Sequence, residues 1–144
     1  MVELRNFGWN AVTISFVATL LFSLWAAWGL YDQVKKIWGS RSGEAVSNIW
    51  FICATALFGA TIIYGVSTRS IAVTFSGLAR GPLHVPILIG LAKFKDFTKR
   101  EWSLLGFLTI VLVTMAIVPW KGAFFITISM GVLIPTAMQP FAGK

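Results

Sequence analysis

Acidic residues are nearly missing from this chain. There are five Asp and Glu in 144 residues, and charged residues of both signs make up 12%, against roughly 25% in soluble globular domains. Apolar residues reach 57%, more than a water-soluble fold of this length can bury. The single cysteine, Cys53, excludes an internal disulfide; it lies beside Ala54, Thr55 and Ala56 in an apolar stretch and reads as packing. With one histidine, His84, there is no metal-ligand spacing. A phosphate loop and a nucleophile set beside a base are also missing, so no enzyme activity, cofactor or metal is expected. Gly/Ser linkers and low-complexity tracts are absent as well.

What the chain does have is hydrocarbon in long runs. A spanning helix needs about 20 mostly apolar residues to cross a core of about 30 Å. Five stretches qualify, at approximately 10–31, 49–67, 71–91, 103–119 and 123–140. The first is too long for the apolar core of a signal peptide and has only Arg5 ahead of it, so it is expected to remain as a helix. The expected fold is all-α and integral to the membrane. The connections are a long one around 32–48, a tight turn at Ser67 to Ser70, a basic connection after the third stretch, and a short turn at Trp120 to Gly122.

A net charge of +7 invites a nucleic-acid reading, which its distribution opposes. Lys35, Lys36, Arg41, Lys93, Lys95, Lys99, Arg100 and Lys144 fall on one side of the expected spans; Arg5, Arg69 and Lys121 fall on the other. The positive-inside rule then places the N-terminus outside and the C-terminus in the cytoplasm, in a plasma (inner) membrane. Trp9, Trp38, Trp50, Trp102 and Trp120 lie at or near span ends, where an indole keeps its N–H wet, and only Trp25 and Trp28 lie within a span. The expected partners are the lipid bilayer and other membrane proteins, not nucleic acid.

The second stretch carries small residues four apart, Thr55 with Gly59, Ala56 with Ala60 and Thr61 with Gly65. That spacing lets helix backbones approach closely and predicts a compact bundle.

The residues leaving the first stretch run from Asp32 and Gln33 through Lys35, Lys36 and Ser40 to Glu44 and Ser47. Ser47, just ahead of an apolar run, is expected to cap the second helix, with Glu44 favouring the same start. This segment resembles the signature of the PQ-loop family, which includes the SemiSWEET and SWEET transporters. Gln33, Lys36, Glu44 and Ser47 match at ungapped spacing, as do Tyr64-Gly65 and Pro86. The resemblance covers roughly residues 8–95. It implies a three-helix bundle over 1–95, with helix order 1-3-2, plus two further transmembrane helices. Residues 96–121 would hold a basic connection and an inverting, linker-type fourth helix. Residues 122–144 would hold a fifth helix that looks like the start of a second repeat. Family members work as paired bundles, so the resemblance implies a homo-oligomer or a membrane-complex partner that completes the second bundle. Asp32 stands where the family has Pro. Thr61 and Gly77 stand where sugar-transporting members commonly place Trp and Asn.

Within the expected spans the outstanding polar group is Ser76, Gly77, Arg80 and His84, with Pro82 and Pro86 beside it. Gly77, Arg80 and His84 are spaced i, i+3 and i+7 on one helix face, near mid-span. An ionisable residue at that depth costs at least about 2.5–3.5 kcal/mol and is normally directed to a cavity or partner. No span contains an Asp or Glu to pair with Arg80. The prolines each remove a backbone donor and permit a kink or break, as at many transporter sites. Arg80, His84, Ser76, Gly77, Thr61 and Trp28 are therefore the candidates for a substrate path, Trp28 through an aromatic wall with Trp25 and Tyr31. Asp32, Gln33, Pro82 and Pro86 are the candidate gate or hinge residues. The expected function is a SWEET-like transporter subunit that moves a small polar solute by alternating access. Sugar is what the resemblance implies, and a small organic anion is what Arg80 suits. The alternative is a non-transporting helical subunit or scaffold of a larger membrane complex.

Overall fold

The computed structural model describes residues 2–5, 7–44 and 46–138, and these form helices without a strand among the described residues. A four-residue helix, α1 (Val2–Arg5), precedes α2 (Ala11–Ser40), α3 (Asn48–Thr68), α4 (Ile71–Phe94), α5 (Lys99–Ile117) and α6 (Lys121–Met138). Among the described residues four helices, α2 to α5, are long and apolar enough to cross a membrane, as befits a membrane-embedded protein. The fifth expected span corresponds to α6, and its last residues, 139–140, lie outside the described residues.

Side chains cap the starts of α2 to α5. Asn10 accepts from the Thr13 N–H at 2.9 Å to open α2. Ser47 accepts from Trp50 N–H at 3.3 Å to open α3, as expected from its position. Ser70 does the same for α4 through Val73 at 3.3 Å. At α5, Thr98 and Glu101 form a reciprocal capping box. The turn between α3 and α4 closes with Arg69 in the left-handed region, φ 56°, its N–H on the carbonyls of Gly65 and Val66.

The first helix does not end near residue 31. It continues to Ser40, so Asp32, Gln33, Lys35 and Lys36 are helical and the connection shrinks to 41–47. At 1.5 Å per residue its length is about 45 Å, well beyond a hydrocarbon core. The reason is an apolar stripe hidden among the charges. Leu30, Val34 and Ile37 recur at i, i+4 and i+7 and pack in a core with Phe51, Ile87 and Leu91. Asp32, unlike a proline, keeps the backbone donor that the helix needs there.

The third expected span is likewise longer and unbroken. α4 is one continuous helix through Gly81, Pro82 and Pro86, so the prolines do not interrupt it. It packs against both α2 and α3, which places it between them, and α3 packs in turn against α5 and α6. Close approach at the α3–α4 seam is made by glycines. A Cβ on Gly65 would stand 2.5 Å from the Thr74 amide nitrogen, and one on Gly77 2.6 Å from Ile62 Cγ1. On its other side α3 sets Ala60 against Met115 and Ile128, while Tyr64 stacks on Phe125 with centroids 4.7 Å apart. The small-residue stripe thus serves two seams, Gly65 facing α4 and Gly59 facing Leu112 of α5.

Candidate functional site

The polar side chains of α4 converge at mid-helix against α3. Arg80 stands nine residues after Ile71, about 13 Å along the helix. Its guanidinium turns back over the preceding turn: Nε donates to the Ser76 carbonyl at 3.1 Å and a terminal nitrogen donates to the Ser76 hydroxyl. The charge lies over the ring of Phe58 of α3, 4.6 Å from its centroid. Among the described residues these are its partners, and none is a carboxylate. Its remaining N–H donors are left to whatever approaches from the half-exposed side.

One turn on, His84 is fully buried. Its Nδ1 lies 2.9 Å from the Arg80 carbonyl oxygen, and because a carbonyl only accepts, Nδ1 carries the hydrogen. Nε2 then presents a lone pair, and it has no hydrogen-bond partner among the described residues. The imidazole is flanked by Phe58 and Phe51, with centroids 4.8 and 5.6 Å away. Ser76 and Gly77 are buried in the same seam.

Thr61, on α3, donates its hydroxyl to the Leu57 carbonyl at 2.8 Å and stays within its own helix. Trp28 is 69% exposed on α2, 6.4 Å from the Tyr31 ring, so the aromatic wall faces outward from this bundle. Gln33 lines a cavity of about 370 Å³ at the basic end, together with Lys36, Ser40, Ser42 and Glu44; Asp32 is half-buried on the same helix. Pro82 is exposed, whereas the Pro86 carbonyl accepts from Trp38 Nε1 at 3.1 Å.

Two features escaped the sequence reading. Phe51 and Phe58, which enclose His84, are seven residues apart on one face of α3, a spacing legible only once His84 is known to face them. The other is Glu3 of α1, largely buried, which accepts from the Ser70 hydroxyl and from the Ala72 N–H at 3.4 Å at the start of α4. Ser70 holds the Glu3 carboxyl below its ordinary pKa, and backbone amides at Ile71 and Ala72 add to this against the opposing effect of burial. A contact spanning 67 residues leaves no local signal.

No protein-family model, curated protein or solved structure matches the chain.

Proposed function

We propose that the chain is a subunit of a PQ-loop-type transporter and moves a small polar solute, anionic by preference, by alternating access. The observation that carries this reading is Arg80: a cation at mid-helix with no carboxylate partner among the described residues, on the helix that packs against both neighbours. A charge in that place needs a partner, and a carboxylate or other anionic solute supplies one. The 1-3-2 contact order of α2, α4 and α3, with Gln33, Lys36 and Glu44 around one cavity at the end of α2, supports the family reading. A second copy, or a partner subunit, completes the path. The excess of Lys and Arg at 35–41 and 93–100 supports a cytoplasmic position for that end of the bundle.

A specific observation favours the second reading, a non-transporting subunit of a membrane complex. Ser76, Gly77 and His84 are buried against α3. A closely packed seam suits a scaffold, which need not open, better than a gate, which must. The test is uptake into proteoliposomes of labelled sugars and small organic acids, comparing the intact protein with Arg80→Ala and Arg80→Lys. Saturable acid uptake lost in Arg80→Ala and retained in part by Arg80→Lys supports transport through this site. Uptake of sugar unaffected by either variant keeps a transporter but removes Arg80 from its path. A well-folded protein that moves nothing favours the scaffold, and its co-purifying partners then define the complex.

A further inference from the structure

α5 and α6 follow one another through a short turn, yet each packs on α3 and they touch each other little. Between them opens a cleft of about 460 Å³, lined by Leu104, Leu108 and Val111 of α5, Phe124 and Ile128 of α6, and Cys53 of α3. That volume is within the roughly 300–1,000 Å³ of ligand clefts. Its lining is hydrocarbon in character. The hydroxyl in its wall, Thr127, already donates to the Ala123 carbonyl at 3.0 Å. A polar solute entering the cleft would give up its water for little in return, whereas an alkyl chain would lose nothing.

Charge at one end of the cleft identifies which alkyl chain. Arg100, Leu104, Leu108 and Val111 are spaced i, i+4, i+8 and i+11, so the cleft-lining face of α5 leads to Arg100, with Lys99 beside it. Both cations are exposed in the first turn of a helix of spanning length, the level of phospholipid headgroups, and neither has a carboxylate partner among the described residues. The adjacent acid, Glu101, is engaged elsewhere, accepting from the Thr98 amide at 2.7 Å and its hydroxyl at 2.9 Å. We propose that the α5–α6 cleft binds one acyl chain of an anionic phospholipid, whose phosphate group is held by Arg100 and Lys99. The site is separate from Arg80 and stands or falls independently of the transport reading.

Native mass spectrometry of the detergent-purified full chain tests this by titration with phosphatidylglycerol or phosphatidylcholine of identical acyl chains. The expected result is one phosphatidylglycerol bound at least tenfold more tightly than phosphatidylcholine. Gly131 lines the cleft with open space where its Cβ would be, so Gly131→Phe fills it, and is expected to weaken both lipids at least tenfold. Gly106→Phe, in open space on α5 outside the cleft lining, is expected to bind as the unmodified protein does. Arg100→Gln combined with Lys99→Gln is expected to erase the preference for phosphatidylglycerol and leave phosphatidylcholine unchanged. Should Gly131→Phe fail to fold, Ala123→Leu fills the other end of the cleft and reads the same quantity. Equal binding of the two lipids by the unmodified protein, or full binding by the filled-cleft variant, overturns the proposal in favour of unspecific boundary lipid. A dimer that Gly131→Phe abolishes, with no lipid retained, overturns it in favour of a second copy in the cleft.

Discussion

His84 donates its Nδ1–H to the Arg80 carbonyl oxygen at 2.9 Å, and its Nε2 is enclosed without a partner among the described residues. An enclosed acceptor left unbonded costs about 1–3 kcal/mol. His84→Leu removes that acceptor and keeps most of the side-chain volume between Phe51 and Phe58. It is expected to leave the stability of the purified protein unchanged or raised, whereas His84→Ala, which opens a void, is expected to lower it by about 2–4 kcal/mol. Denaturation in mixed micelles measures both. A loss in His84→Leu well above the roughly 0.5–1.5 kcal/mol that the Nδ1 hydrogen bond contributes would show that Nε2 also has a hydrogen-bond partner in the native state.

The glycines of the bundle divide by what surrounds them. Gly65 is buried with the Thr74 backbone 2.5 Å from where a Cβ would lie, so Gly65→Ala must push α3 and α4 apart; the expected loss is about 1–3 kcal/mol. Gly29 and Gly106, inside α2 and α5, have nothing within 4 Å of that position. Gly29→Ala and Gly106→Ala are expected to stabilise by about 0.5–1 kcal/mol through helix propensity alone. The same denaturation series checks all three, and a Gly65→Ala protein as stable as the original would contradict the seam.

The parts of this structure legible in the sequence are those with a local cause. Hydrophobic runs of spanning length became α2 to α5, and Ser47 capped α3 because a hydroxyl just before an apolar run can accept an amide. The end of α2 was not legible, since Asp32, Lys35 and Lys36 read as a loop. What decides it is the packing of Val34 and Ile37 on Ile87 and Leu91, some fifty residues away in sequence. At the candidate site, the face shared by Gly77, Arg80 and His84 followed from helix periodicity. The neighbours on that face, Phe51 and Phe58, follow only from how α3 docks. Thr61 is read from the resemblance and Trp28 from its i, i+3 spacing with Tyr31; in the bundle the Thr61 hydroxyl bonds the Leu57 carbonyl and Trp28 is exposed.

Trp38 lies on the extension of α2 that the hydropathy pattern missed, and it ties that extension to α4. Its Nε1 donates to the Pro86 carbonyl at 3.1 Å, and its ring meets Phe94 edge-on with centroids 5.6 Å apart. Trp38→Phe retains an aromatic ring and loses the hydrogen bond, for an expected cost of about 0.5–1.5 kcal/mol. Trp38→Ala loses the packing as well and is expected to cost more, about 3 kcal/mol. Hydrogen exchange of the α2 amides from Lys35 to Ser40 should quicken in Trp38→Ala while that of α3 does not. Uniform quickening across the bundle would mean that Trp38 supports the whole fold and not this extension.

Glu3 makes stability at the opposite end of α4 depend on pH. Its carboxylate accepts from the Ser70 hydroxyl and the Ala72 amide, where the positive end of the α4 dipole favours a negative charge. These bonds hold its pKa below the ordinary value, the Ser70 bond most of all. A group whose native pKa is lowered binds fewer protons folded than unfolded. Its contribution is therefore complete above the unfolded value of about 4.3 and is lost as the pH falls through the lowered native one. Melting followed by tryptophan fluorescence from pH 7 to pH 3 is expected to show a fall that Glu3→Gln reduces, because the amide has no proton to gain. Ser70→Ala should act in the same direction, since it removes the largest cause of the shift. If the difference in melting temperature between the original protein and Glu3→Gln stays constant across that range, Glu3 is not held as a carboxylate at the head of α4.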